Sequence, residues 1–102
     1  MSRIFCVVLA YEKLNDLREA LAVEKRRTKK LKINHKEAKK RLQLKESYPF
    51  RNDGLIDSLK DLIRDQEEII KIKIAKCQLY EKQLKTLEDQ IGNFLLDAVF
   101  NG

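Results

Sequence analysis

The chain has 102 residues, a formal net charge of +6, 37% charged side chains, one proline and no tryptophan. That length allows one small domain or one subunit of something larger. The composition suits long amphipathic helices and argues against a compact α/β domain, while the positive charge favours contact with anionic surfaces without bearing on fold.

Ser2 is the expected N-cap of a first helix over residues 3–46. The opening run Ile4-Phe5-Cys6-Val7-Val8-Leu9-Ala10 is short for the apolar core of a secretion signal, and Tyr11-Glu12-Lys13 follows it without a small-x-small cleavage site. It is also far too short to cross a bilayer, so it reads as a buried helix end. Beyond it, apolar residues recur on a heptad grid. One row is Val7, Leu14, Leu21, Thr28, His35 and Leu42; the other is Ala10, Leu17, Glu24, Leu31, Ala38 and Lys45. Sustained 3-4 spacing of this kind is the mark of a coiled coil. Glu24, Thr28 and His35 place polar groups in its middle layers, where such residues fix register at some cost in stability.

From Lys25 to Lys45 there are eleven basic residues against one acid, Glu37, a local charge of +10 that exceeds that of the whole chain. Lys25, Arg26, Arg27, Lys29, Lys30, Lys36, Lys39, Lys40 and Arg41 are the candidates for contact with a phosphate backbone. Such contact would be salt-dependent and weakly sequence-selective. No aromatic interrupts the run, so it offers no platform for stacking single-stranded bases. The competing reading is a solvated face partly neutralised by acids across the seam.

Residues 47–54 (Ser-Tyr-Pro-Phe-Arg-Asn-Asp-Gly) hold the only proline and an Asn-Asp-Gly run, and they are expected to form the bend. Pro49 disfavours helical geometry at Tyr48, and Asn52 or Asp53 can cap the helix that follows. Tyr48 and Phe50 are expected to staple the tip.

The second helix is expected over residues 55–91. Its rows are Ile56, Ile63, Ile70, Cys77, Leu84, Ile91 and Ala98, and Leu59, Gln66, Lys73, Tyr80, Leu87 and Phe94. Folding the chain at the bend pairs positions whose numbers add to about 101. Apolar layers then meet apolar layers, His35 meets Gln66, and Thr28 meets Lys73. Two independently read helices agreeing in register is the kind of consistency a native fold requires. The same register brings Asp57, Asp61, Asp65, Glu67 and Glu68 beside the basic run, with Lys32 and Glu67 the expected flanking pair. A second apolar stripe, Leu55, Leu62, Ile69, Ile72 and Leu79, lies next to the seam on the side where the first helix offers Arg27, Asn34 and Arg41. A helix with two apolar faces packs against two neighbours.

Gly92-Asn93 is expected to interrupt the second helix, since glycine costs about 1 kcal/mol in a helix interior. The segment 92–102 that follows is apolar on nearly every side. Its Phe94, Leu95, Leu96, Val99 and Phe100 are expected to form, with Ile4, Phe5, Val8 and Leu9, an interaction surface large enough to be functional.

These features predict an all-α fold: a single domain built as a long antiparallel helical hairpin, completed by self-association or by docking into a helical bundle. Cys6 and Cys77 fall roughly 27 Å apart in such a hairpin at 1.5 Å per residue, so a disulfide between them is excluded. Reduced thiols fit an intracellular, cytoplasmic or nuclear setting. The single histidine and scattered cysteines offer no metal site, and no glycine-rich phosphate loop or nucleophile elbow is present. No catalytic residue and no cofactor are expected. The leading expectation is a non-enzymatic structural or adaptor subunit that binds itself, as a dimer or four-helix bundle, or the helices of another protein. The alternative is a small basic nucleic-acid-binding protein; peripheral membrane contact is a weaker third.

Overall fold

The structure, a computed structural model, describes the backbone of residues 3–100 and the side chains of residues 6–100. Ser2, the expected first cap, and the side chains of Ile4 and Phe5 lie outside the described residues. The chain folds as the expected all-α antiparallel hairpin of two helices, α1 over Arg3–Ser47 and α2 over Asp53–Phe100.

The bend follows from local chemistry. Ser47 donates its Oγ–H to the carbonyl of Leu44 (2.8 Å), occupying a C-terminal acceptor of α1. Pro49, two residues on, prevents the helix from continuing. Asn52 opens α2: its Oδ1 accepts the Leu55 amide (3.1 Å), and its carbonyl accepts the Ile56 amide (3.0 Å). An asparagine N-cap makes this pair of bonds. The aromatic staple does not form. Phe50 is 94% exposed, because a staple joins the residue just before the cap to the fourth helical position, and Arg51, not Phe50, stands before Asn52. Tyr48 is also exposed, with the Lys45 ammonium 5.8 Å from its ring centroid.

The expected interruption at Gly92-Asn93 is absent, and α2 runs unbroken to Phe100. Gly92 is exposed and has open space where a Cβ would be. Its cost of about 1 kcal/mol is outweighed by the seam residues on either side, Ile91 (buried) and Phe94 (half-buried).

Two compact units divide the packing. In the first, α1 up to Glu24 pairs with α2 from Lys76. Leu14, Cys77 and Ile91 are buried there, and Val7, Ala10, Leu17, Leu21, Tyr80, Leu84, Leu87 and Phe94 are half-buried. In the second, which spans Lys25–Ala75 and contains the bend, Thr28, Ala38, Ile56, Ile63 and Ile70 are buried. Leu31, His35, Leu42, Leu59, Gln66 and Lys73 are half-buried around them. The heptad rows are therefore the seam in each unit, except at their ends, where Lys45 and Ala98 are exposed.

Register is visible in the polar contacts. In the second unit the Nδ1–H of His35 donates to Gln66 Oε1 (3.2 Å), in the expected layer. In the first, Lys76 reaches in from solvent to within 3.4 Å of the buried Glu24 carboxylate. Flanking pairs obey a different offset. Glu67 meets Lys39 (3.7 Å) and the ring of His35 (3.5 Å), not Lys32, and Arg18 meets Glu88 (3.2 Å). Side chains lean toward the N-terminus of their own helix. In an antiparallel pair the tips therefore shift in opposite directions along the seam. The flanking pairs 18 with 88 and 39 with 67 consequently meet about five positions beyond the backbone register, whereas contacts to the seam residues Glu24 and His35 stay within one position of it. The pair 32 with 67 leans apart.

Candidate interaction surfaces

With the seam residues turned inward, the remaining apolar side chains are the ones available to partners. In the second unit, Leu55, Leu62, Ile69 and Ile72 of α2 are all exposed, Leu62 at 47% and Ile72 at 61%. They recur at seven- and three-residue intervals, one heptad position before Ile56, Ile63 and Ile70 and two after Ile70. This is a second apolar stripe, with Ser58 and Asp65 at the positions equivalent to Ile72, turned about 100° from the seam, given 100° per residue. A groove of about 340 Å³ runs beside it, walled by Leu59, Leu62 and Gln66 from α2 and by Asn34, Glu37, Ala38 and Arg41 from α1. Leu79, the fifth member of the stripe, is exposed in the first unit.

The first unit carries the terminal apolar residues. Val8, Leu9, Leu95, Leu96, Val99 and Phe100 are exposed, Phe100 at 78%. Tyr11, passed over in the sequence, is exposed as well. Tyr11 and Leu95 hold the same heptad position as Arg18 and Glu88, so with Val8 and Val99 they make one side of the unit apolar beyond that ion pair. Phe94 differs from the rest. It is half-buried and lines a groove of about 180 Å³ with Cys6, Val7, Ala10, Leu87, Gln90 and Ile91, so it belongs to the seam as much as to any outer surface.

The basic segment is solvent-facing. Lys25, Arg26, Arg27, Lys29, Lys30, Lys36, Lys39, Lys40 and Arg41 are all exposed. Arg26, Lys29, Lys30, Lys36 and Lys40 line the outward side of α1 and make no ion pair among the described residues, whereas Lys39 is engaged by Glu67. The second unit holds sixteen Lys and Arg against eight Asp and Glu, a charge of +8; the rest of the chain holds six against eight, or −2. Ile33, exposed among these lysines, is an apolar residue that heptad reading leaves unassigned.

Other chemistry is sparse among the described residues. No group of three or more His, Cys, Asp or Glu side chains could hold a metal ion, and no helix is long and apolar enough to cross a membrane. Cys6 is exposed, Cys77 is buried, and neither forms a disulfide. Comparisons with protein-family models, with curated proteins and with solved structures return no match.

Proposed function

We propose that the chain is a non-enzymatic structural or adaptor subunit that works by assembly, with the terminal apolar side chains of the first unit and the outer stripe of α2 as its contact surfaces. The observation that carries this reading is the stripe. Leu55, Leu62, Ile69 and Ile72 repeat with coiled-coil spacing yet stay exposed while the neighbouring row is buried. Apolar residues scattered singly over a surface are ordinary; a periodic row is what a helix presents to a second neighbour. Copies of the chain and helices of other proteins are both occupants that such surfaces accept.

Light scattering on the purified chain, compared with a variant lacking residues 94–102 and with Leu62→Gln/Ile69→Gln, tests the reading. A change of mass or of partner binding in either variant is expected. Unchanged mass and binding in both would refute it.

A second reading has its own observation, the outward row of unpaired cations on α1. These support contact with a nucleic-acid backbone, which needs clustered positive charge and little else. A gel shift on random duplex DNA at low and moderate salt tests it. Steeply salt-sensitive binding, abolished by reversing the charge of Lys29, Lys30, Lys36 and Lys40, is expected. No shift at low salt eliminates the reading.

A further inference from the structure

We infer that the outer stripe of the second unit receives one helix of a different protein, an amphipathic helix whose apolar 3-4 row is bordered by carboxylates along the edge that meets α1. This rests on the assembly reading and specifies the occupant of one of its surfaces.

Three observations converge. First, the spacing selects a helix. Leu55, Leu62 and Ile69 repeat at one heptad position and Ile72 joins them one turn on along the same face, together covering five turns, roughly 26 Å at 1.5 Å per residue. In helix-in-groove recognition an incoming helix lays anchors at i, i+3, i+4 and i+7 against such a row. An incoming helix would make a three-helix layer with α1 and α2, and it would cover an apolar patch on the order of a few hundred Å², the size at which exposed patches become functional.

Second, charge selects the edge. On the groove side, α1 presents Arg41 and Asn34, with Glu37 the one acid among the groove-lining residues, and Lys30 stands one helical turn before Asn34. The unit as a whole carries +8. Carboxylates on the facing edge of the incoming helix gain from this field, and lysines there are repelled. The other border of the stripe is different. Asp61 and Glu68 lie there, and Asp61 is already paired with Arg64 at 3.0 Å. The two borders thus distinguish the two edges of the incoming helix.

Third, the same charge disfavours a second copy. Joining two of these units face to face would bring +8 against +8. In an antiparallel two-fold arrangement, both copies' α1 edges would lie on one side of the interface, with both acidic borders on the other. Opposite charges would not meet there, and the parallel two-fold arrangement, which does set each α1 edge against an acidic border, still brings +8 against +8.

The test uses the full chain and two synthetic 21-residue helices of identical leucine 3-4 row, stapled to hold them helical. One is bordered by glutamates and the other by lysines. Fluorescence anisotropy should show the glutamate probe binding at least tenfold more tightly than the lysine probe. Leu62→Gln/Ile69→Gln should weaken it at least tenfold, with helicity by circular dichroism unchanged. Lys30→Glu/Arg41→Glu should narrow or reverse the preference between probes while leaving the stripe competent. Equal binding of both probes overturns the proposal. So does undiminished binding of the glutamate probe to the stripe variant, because charge alone would then hold it on the basic segment. If neither probe binds and light scattering finds a dimer that the stripe variant dissociates, the occupant is a second copy; the proposal fails and the assembly reading stands. If neither binds and neither surface variant changes the mass, both fall.

Discussion

The burial contrast between Ile56 and Leu62 makes the register quantitative. Ile56 is 2% exposed and Leu62 is 47% exposed, although both are aliphatic residues on α2 within two turns of each other. Truncating Ile56 to alanine removes three buried carbons, about 2.4 kcal/mol of transfer free energy at 0.8 kcal/mol each. A cavity adds to this, and the better helix propensity of alanine returns a few tenths. The expected loss is about 2.5–3.5 kcal/mol, the low end for such truncations because the bend is nearby and can settle. Leu62→Ala removes as many carbons, but half their surface is already wet and no cavity forms, so about 1 kcal/mol is expected. At 4–8 °C per kcal/mol for a domain of this size, Ile56→Ala should lower Tm by roughly 10–28 °C and Leu62→Ala by under about 8 °C. Circular dichroism melts at a protein concentration low enough that Tm no longer depends on it keep assembly out of the comparison. Equal losses, or a larger one at Leu62, would mean that α2 is rotated about its axis relative to the seam described above, and the burial argument would be refuted.

Other outcomes follow from single contacts. Asn52→Ala removes the cap that accepts the Leu55 amide and should cost about 1 kcal/mol in urea unfolding, with Asn52→Asp close to neutral. Gly92→Ala fills open space on an exposed, uninterrupted helix and should stabilise by about 0.5–1 kcal/mol; destabilisation would place an unseen close approach at that position. Cys6 should react with a maleimide within the time of mixing and Cys77 only on the timescale of opening, since the first thiol is exposed and the second buried. Comparable rates would put Cys77 outside the seam.

The architecture was readable because coiled coils write their packing as a period. Each helix carries its own heptad row, and the bend supplies the offset that brings the rows together. What escaped is instructive. Glu67 pairs with Lys39 and not with the expected Lys32 because a backbone register ignores the lean of side chains toward their own N-termini, and that lean moves this flanking pair by about five positions. The break expected at Gly92 does not form because propensity is a weak prior beside seam residues such as Ile91. The staple failed on a single position, with Phe50 one residue too far from the cap. The outer stripe was visible as an apolar row, but its exposure was not, since a broad stripe on a bent hairpin would have produced the same letters. Only the burial of Ile56, Ile63 and Ile70 beside exposed Leu55, Leu62 and Ile69 separates the two.

The polar layer at His35 and Gln66 bears on why the hairpin keeps one register when its apolar rows could match in several. Leucines and isoleucines a heptad apart are nearly interchangeable, so sliding α1 past α2 by seven residues would still pair apolar with apolar in most layers. It would also separate His35 from Gln66 (3.2 Å) and set one of these two half-buried side chains against a leucine, Gln66 against Leu42 or His35 against Leu59 according to the direction of the slide. A buried polar group that loses its partner costs about 1–3 kcal/mol, while replacing both partners by apolar groups is near neutral or favourable. His35→Leu/Gln66→Leu should therefore raise the urea midpoint, by an amount corresponding to about 1–2 kcal/mol, and at the same time broaden the distribution of masses by light scattering as alternative pairings become accessible. The single variant Gln66→Leu should be less stable than either the parent or the double variant, because it removes the partner of the imidazole Nδ1 and leaves only the Glu67 contact at Nε2. A double variant less stable than the parent would show that this layer contributes net stability, and that register is held elsewhere, for instance by Glu24 and Lys76 in the first unit.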